Sequence, residues 1–207
     1  MLSLFKKFFS RDPDRAPRYY DKKYKSGGWQ GEYHKHYSDS MYFHVWQEAV
    51  RWIREMDRPS ILEIACGPGQ FAQMLFENEI TSYLGFDFSP RAIELARENN
   101  PDHAGKFTVE NAFNDTVYQR WDCNLVIAFE FFEHIGEDIA ILKKIRGGTN
   151  ILFSVPNFDA EDHLRYFDSL EDIKARYSDQ LTFHREQAFE HVTPGSEIFL
   201  VLGTVNN

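Results

Sequence analysis

Two acids and an imidazole stand together in Glu130-Phe131-Phe132-Glu133-His134. If this stretch is already helical, Glu130 lies one turn before Glu133 and His134, and all three share a face. Two carboxylates and an imidazole at that spacing can bind a divalent cation such as magnesium. His163, in Asp162-His163-Leu164-Arg165, offers a further ligand. The same residues support two other readings. His134 can serve alone as a catalytic general base, or the pair can simply hold a loop. The residues by themselves leave all three open.

The stretch that organises the chain is Ile61-Leu62-Glu63-Ile64-Ala65-Cys66-Gly67-Pro68-Gly69-Gln70-Phe71. Its apolar, β-branched start reads as a buried strand. Gly67-Pro68-Gly69 then makes a tight turn, and Phe71, Ala72, Leu75 and Phe76 recur at helical spacing. Such a unit brings bare backbone up to a ligand at the carboxyl end of a strand. The glycines fit a relaxed dinucleotide pattern, but two neighbours argue against a pyrophosphate. Pro68 has no N–H to give, and Glu63 would repel a dianionic linker. A cation would welcome Glu63. S-adenosylmethionine carries a sulfonium, an ammonium, a ribose and no phosphate. The run Glu63-x-Ala65-Cys66-Gly67-x-Gly69 closely resembles the first motif of the class I S-adenosylmethionine-dependent methyltransferases.

Later segments extend the resemblance. Tyr83-Leu84-Gly85-Phe86-Asp87-Phe88-Ser89 reads as a second strand, with Ser89 able to cap the following helix and Pro90 at its first position. Asp87 comes 20 residues after Gly67, a spacing at which an acid can meet ribose hydroxyls. Phe107 to Ala112 reads as a third strand, and family resemblance sets Asn111-Ala112-Phe113 beside the adenine. Many relatives have Asp where this chain has Asn111. The cofactor site so implied comprises Glu63, Ala65, Gly67, Gly69, Asp87, Phe88, Asn111, Ala112, Phe113 and Glu130. The Glu-x-x-Glu-His cluster is similar to that of the ubiquinone-biosynthesis O-methyltransferases and of the small-RNA 2′-O-methyltransferases. There it resembles a magnesium site, here Glu130, Glu133, His134 and His163, that orients the attacking hydroxyl.

The elements that must position these residues are legible too. Tyr42, Trp46, Ala49, Ile53 and Met56 mark an amphipathic helix with Asp39 or Ser40 as its cap. Strand four runs from Asn124 to Phe129. A helix striped by Ile135, Ile139, Leu142 and Ile145 follows, and strand five runs from Asn150 to Val155. Strands alternating with helices predict an α/β fold, a doubly wound and mostly parallel sheet with helices on both faces. The resemblance implies seven strands, the last two forming an antiparallel hairpin, here Gln180–Arg185 and Glu197–Val205. Residues 41–207 form the expected methyltransferase domain. Residues 1–40 form an extension whose aromatic part, Tyr19 to Tyr37, reads either as a lid or as ordinary surface packing. His34 and His36 are expected to face solvent.

Charge narrows the partners. The chain of 207 residues carries net −9, which disfavours a phosphate-binding nucleic-acid partner. The first 25 residues hold eight Lys or Arg and three Asp, so they carry +5 and the remainder −14. No run approaches membrane-spanning length. Residues 1–10 read as a segment docking on protein, with weak membrane-surface contact as the alternative. Cys66 and Cys123 fall at opposite ends of neighbouring strands, so both are expected free, in a cytoplasmic protein. The expected reaction is methyl transfer to a small-molecule or glycan hydroxyl. Alternatives are a small-RNA 2′-O-methyltransferase and a non-catalytic S-adenosylmethionine-binding partner subunit.

Overall fold

Five short runs of branched apolar residues build the parallel part of the sheet. The computed structural model describes residues 17–207. Strand β1 (Ile61–Ile64) is buried along its whole length. It pairs in parallel with β2 (Tyr83–Asp87) on one side and β4 (Leu125–Phe129) on the other. Strand β3 (Phe107–Val109) lies outside β2, and β5 (Asn150–Pro156) lies outside β4. Two long strands, β6 (Leu181–Glu190) and β7 (Glu197–Val205), finish the sheet. The order is β3-β2-β1-β4-β5-β7-β6, with β7 antiparallel to both β5 and β6. The seven-stranded doubly wound expectation thus holds, including the antiparallel ending.

Helices cover both faces, as the buried runs require. Helices α2 (Phe43–Arg54), α3 (Gln70–Glu77) and α4 (Pro90–Asn99) pack one apolar cluster around Ile53, Leu75 and Ile93. Helices α5 (Thr116–Gln119), α6 (Asp138–Leu142) and α7 (Leu170–Tyr177) pack the other, around Phe132, Leu142 and Tyr177. Helix α1 (Pro17–Ser26) lies against α4. Between β1 and β4 the direction of strand addition reverses, which opens a crevice at the carboxyl ends of the strands.

Four local expectations are corrected. Helix α2 is capped by neither Asp39 nor Ser40; Tyr42 holds the cap position without a side-chain bond. Ser40 is buried and donates to Glu32 instead. Strand β3 stops at Val109, because Asn111 Oδ1 accepts the Phe113 N–H at 2.9 Å and turns the chain. The helix striped by Ile135 to Ile145 shrinks to the five residues of α6. The Arg165 guanidinium takes the carbonyls of Phe132, Ile135 and Gly136, which a continuous helix would use internally. Strand β6 runs on to Glu190, since β7 offers pairing along its length. Ser89 caps α4 through the Ala92 N–H at 3.1 Å, as expected. Both cysteines are buried and free.

Candidate functional site: a cofactor crevice beside a buried acid–imidazole cluster

A cavity of about 1010 Å³ opens at the carboxyl ends of the central strands. That is the upper end of the usual size for a small-molecule site. Glu63, Ala65, Gly67, Asp87, Phe88, Asn111, Ala112, Phe113 and Glu130 all line it, and so do Glu133, His134 and His163. Residues expected from separate motifs therefore share one space. Gly69 does not line it. A Cβ on Gly69 would sit 2.9 Å from Asn100 Nδ2 and 3.0 Å from the Ala96 Cβ, so this glycine serves the packing of α3 on α4.

The turn after β1 is tightly wound. Ala65 and Gly67 have φ of 54° and 53°, and a Cβ on Gly67 would come to 3.4 Å from the Tyr24 hydroxyl. Strain at Ala65, a residue with a Cβ, is of the kind that ligand sites retain. Asp87 closes the turn from β2. Its Oδ2 accepts the Gly67 N–H at 3.1 Å and its Oδ1 the Ser89 N–H at 2.8 Å. Burial raises its pKa to about 6, against the pull of those donors. Glu63 is buried with the Tyr83 hydroxyl donating to it. Burial lifts its pKa to about 8, which the Tyr83 bond offsets in part. Two buried acids with no Lys or Arg beside them among the described residues favour a positively charged ligand.

The segment before α2 forms one wall. Tyr20, Lys23, Tyr24, Trp29, Glu32 and Tyr33 line the cavity. Helix α1 is tied down at three points. Tyr24 donates to Asp87 at 3.4 Å, Ser89 donates to Asp21 at 2.5 Å, and the Lys23 ammonium lies 2.6 Å from Asp162. The next stretch is clamped by Gln70, whose amide donates to the carbonyls of Glu32 and Lys35 at 2.9 and 2.8 Å. Sequence reasoning missed Lys23, Tyr24 and Gln70 as individuals; only the aromatic density of the segment hinted at them. His34 and His36 are exposed, as expected.

The acid–imidazole cluster is built differently from the helical arrangement expected. Glu130 ends β4 with φ of 47°, outside any helix, and Ser154 Oγ donates to it at 2.8 Å. Phe132–His134 form a single 3₁₀ turn. The potential ligand atoms that converge come from Glu133, His134 and His163, all within 4.8 Å of one another. Glu130 is not in that group, which corrects its expected role as a ligand. It still lies close enough to raise the Glu133 pKa further, while burial lifts its own to about 7.

Glu133 is the decisive residue here. It is fully buried, and among the described residues neither carboxylate oxygen has a hydrogen-bond partner. Burial pushes its pKa well above the carboxylate range. The imidazoles beside it are arranged. His134 Nδ1 donates to the Asp162 carbonyl at 3.0 Å, and His163 Nδ1 donates to the Phe158 carbonyl at 3.1 Å. Each bond selects the tautomer with its lone pair on Nε2. His134 Nε2 stands 3.6 Å from Glu133 Oε1. Burial lowers the His134 pKa to about 4 and depresses that of His163, so both are neutral near pH 7. An orphaned carboxylate and two neutral imidazoles with anchored Nδ1 atoms fit a divalent cation.

Sheet order, crevice and glycine turn define the class I methyltransferase fold. Residues 62–149 match the family described as "Methyltransferase domain". The chain has the fold of the class I, S-adenosylmethionine-dependent methyltransferases. Solved structures share the fold at low identity. The N-methyltransferase NodS of Bradyrhizobium japonicum WM9, in complex with S-adenosyl-L-homocysteine, is 14% identical with a TM-score of 0.62, covering 81% of this chain and 88% of its own. The methyltransferase domain of a bacterial CtHen1 is 13% identical with a TM-score of 0.65, covering 81% of this chain and 100% of its own. Magnesium protoporphyrin IX methyltransferase of Synechocystis PCC 6803, with bound SAH, is 14% identical with a TM-score of 0.59, covering 79% and 83%. No curated protein sequence matches the chain. Among the described residues no helix is long and apolar enough to cross a membrane. The expectation for residues 1–10 falls outside the described residues.

Proposed function

We propose that the protein transfers the methyl group of S-adenosylmethionine to a hydroxyl of a small-molecule or glycan acceptor, with a divalent cation at Glu133, His134 and His163. The observation that carries this reading is the orphaned Glu133 carboxylate, buried beside two neutral imidazoles. The cation would supply Lewis acidity, lowering the pKa of the acceptor hydroxyl and fixing its place. The chain's own residues do the rest. Asp87 meets the ribose, and Glu63 offers its carboxyl to the ammonium and sulfonium, whose positive charge would draw its raised pKa back down. Residues 17–40 act as the cover, with α1 held by Lys23 and Tyr24 over the crevice. In-line positioning supplies most of the rate, because the sulfonium is already reactive.

The alternative of His134 as a lone general base is weakened by its pKa of about 4, too low for a good base at neutral pH. Two imidazoles and one carboxylate also suit manganese or another first-row transition ion better than magnesium, which prefers oxygen. A polynucleotide acceptor is disfavoured by the net charge of −9. We place the protein in the cytoplasm on the strength of its two free cysteines.

The test is methyl transfer from labelled cofactor to a panel of hydroxyl acceptors, with chelator and after re-addition of magnesium or manganese. Turnover should vanish on chelation and return with metal. Full activity in excess chelator would exclude the metal site. Cofactor binding without transfer to any acceptor would favour the partner-subunit reading.

A further inference from the structure

His191 sits at the end of the β6–β7 hairpin, remote in sequence from every motif, yet it lines the cavity. Tyr42 stacks on it at 5.5 Å and 26°, and Phe158 stacks on it at 5.4 Å and 8°. Phe158 in turn lies 5.9 Å from the His163 ring, and His163 lies 5.0 Å from the His134 ring. The stack therefore leads straight to the acid–imidazole cluster.

With two aromatic rings stacked on the imidazole, its nitrogen-bearing edge is the part suited to address a ligand. No hydrogen bond from a described residue reaches its ring nitrogens or the Tyr42 hydroxyl, although both side chains border the cavity. Burial depresses the His191 pKa and raises that of Tyr42. The edge is thus neutral near pH 7, with one donor and one acceptor. Nearby, Phe71 connects Trp46 and Phe129 at 6.0 and 4.8 Å, and all three border the same space. At the rim Trp29 and Val192 stay 57% and 53% exposed. A sugar would bring hydroxyls on all sides, and each would need a partner that these rings cannot give.

We infer that the Tyr42–His191–Phe158 stack is the acceptor-reading wall, and that its ligand is a hydroxylated aromatic ring bearing a neutral hydrogen-bonding substituent. This rests on the proposal that the reacting hydroxyl lies at Glu133, His134 and His163. The ring fills the slot between the wall and the Phe71 group. His191 bonds the substituent and so selects among phenols. It is a specificity residue and takes no part in the transfer itself.

The test is binding, read without turnover. Para-hydroxyacetophenone, phenol and methyl glucoside are titrated by ligand-observed NMR into the S-adenosylhomocysteine complex of the wild type and of His191→Phe. That variant keeps a ring between Tyr42 and Phe158 and removes the nitrogens. The wild type should prefer the ketone over phenol by about five- to tenfold, the scale of one neutral hydrogen bond. In His191→Phe the two affinities should converge, with S-adenosylhomocysteine affinity unchanged. An undiminished preference in the variant, no aromatic binding to the wild type, or saturation by the glucoside with phenols excluded would each overturn the inference. None of these readouts needs metal or methyl transfer, so failure here is separable from failure of the proposed reaction.

Discussion

The Tyr24 hydroxyl meets the Asp87 carboxylate at 3.4 Å, across 63 residues of chain. The first described helix thus touches the acid expected to hold the ribose. Asp87→Ala should weaken S-adenosylhomocysteine binding by roughly 1.5–3 kcal/mol, the scale of hydrogen bonds to a charged group. Calorimetry giving an unchanged affinity would remove Asp87 from the ribose. Tyr24→Phe loses a longer bond and should cost less than Asp87→Ala.

Glu133 offers a test in which stability and function move oppositely. Glu133→Leu removes a buried carboxyl whose oxygens have no hydrogen-bond partner among the described residues. The cofactor-free, metal-free protein should gain about 1 kcal/mol in a denaturant titration, within the penalty range for an unsatisfied buried group. Metal affinity, followed by manganese titration, should fall at least tenfold. A loss of stability with metal binding intact would assign Glu133 a purely structural role.

The buried acids make stability depend on pH. The folded pKa values of Glu63 and Glu130, about 8 and about 7, lie above the ordinary carboxylate value. The folded state then binds more protons than the unfolded one, so stability falls as pH rises toward the folded values. His134 acts in the opposite sense, but only between its folded pKa of about 4 and the ordinary imidazole value. Above about pH 6.5 the carboxylates act alone. The melting temperature of the ligand-free protein should therefore drop from pH 6.5 to 8.5. Glu63→Gln should lessen the drop, and an equal drop in the variant would show that Glu63 does not carry it.

The Lys23–Asp162 pair holds α1 to the loop carrying His163. Lys23→Ala should cost about 0.5–1 kcal/mol, since the ammonium is partly exposed. Cleavage near residues 18–25 under limited proteolysis should quicken, and S-adenosylhomocysteine should slow it again. Unchanged cleavage in both states would argue against α1 as a cover.

The sequence by itself determined where the residues of the proposed cofactor half fall. Strand, glycine turn and helix are local, and Glu63, Gly67 and Asp87 owe their places to positions within strands and turns that sequence spacing already sets. The individual strands and helices were legible for the same reason, since period and turn chemistry act over short spans, whereas the seven-stranded sheet was implied by the family resemblance. Only the tertiary structure decided the acceptor half. The Glu130–Glu133–His134 spacing fits a helix, but Arg165, a residue far along the chain, takes the carbonyls that a helix would need. Glu130 instead bonds Ser154, and His163, from a distant loop, joins Glu133 and His134. His191 carries no local signal, because a lone histidine in a hairpin reads as a surface residue. It reaches the cavity because β7 pairs with β5, which carries the hairpin tip over the carboxyl ends of the parallel strands. Contacts between distant segments depend on packing rather than on spacing, and there the sequence alone is silent.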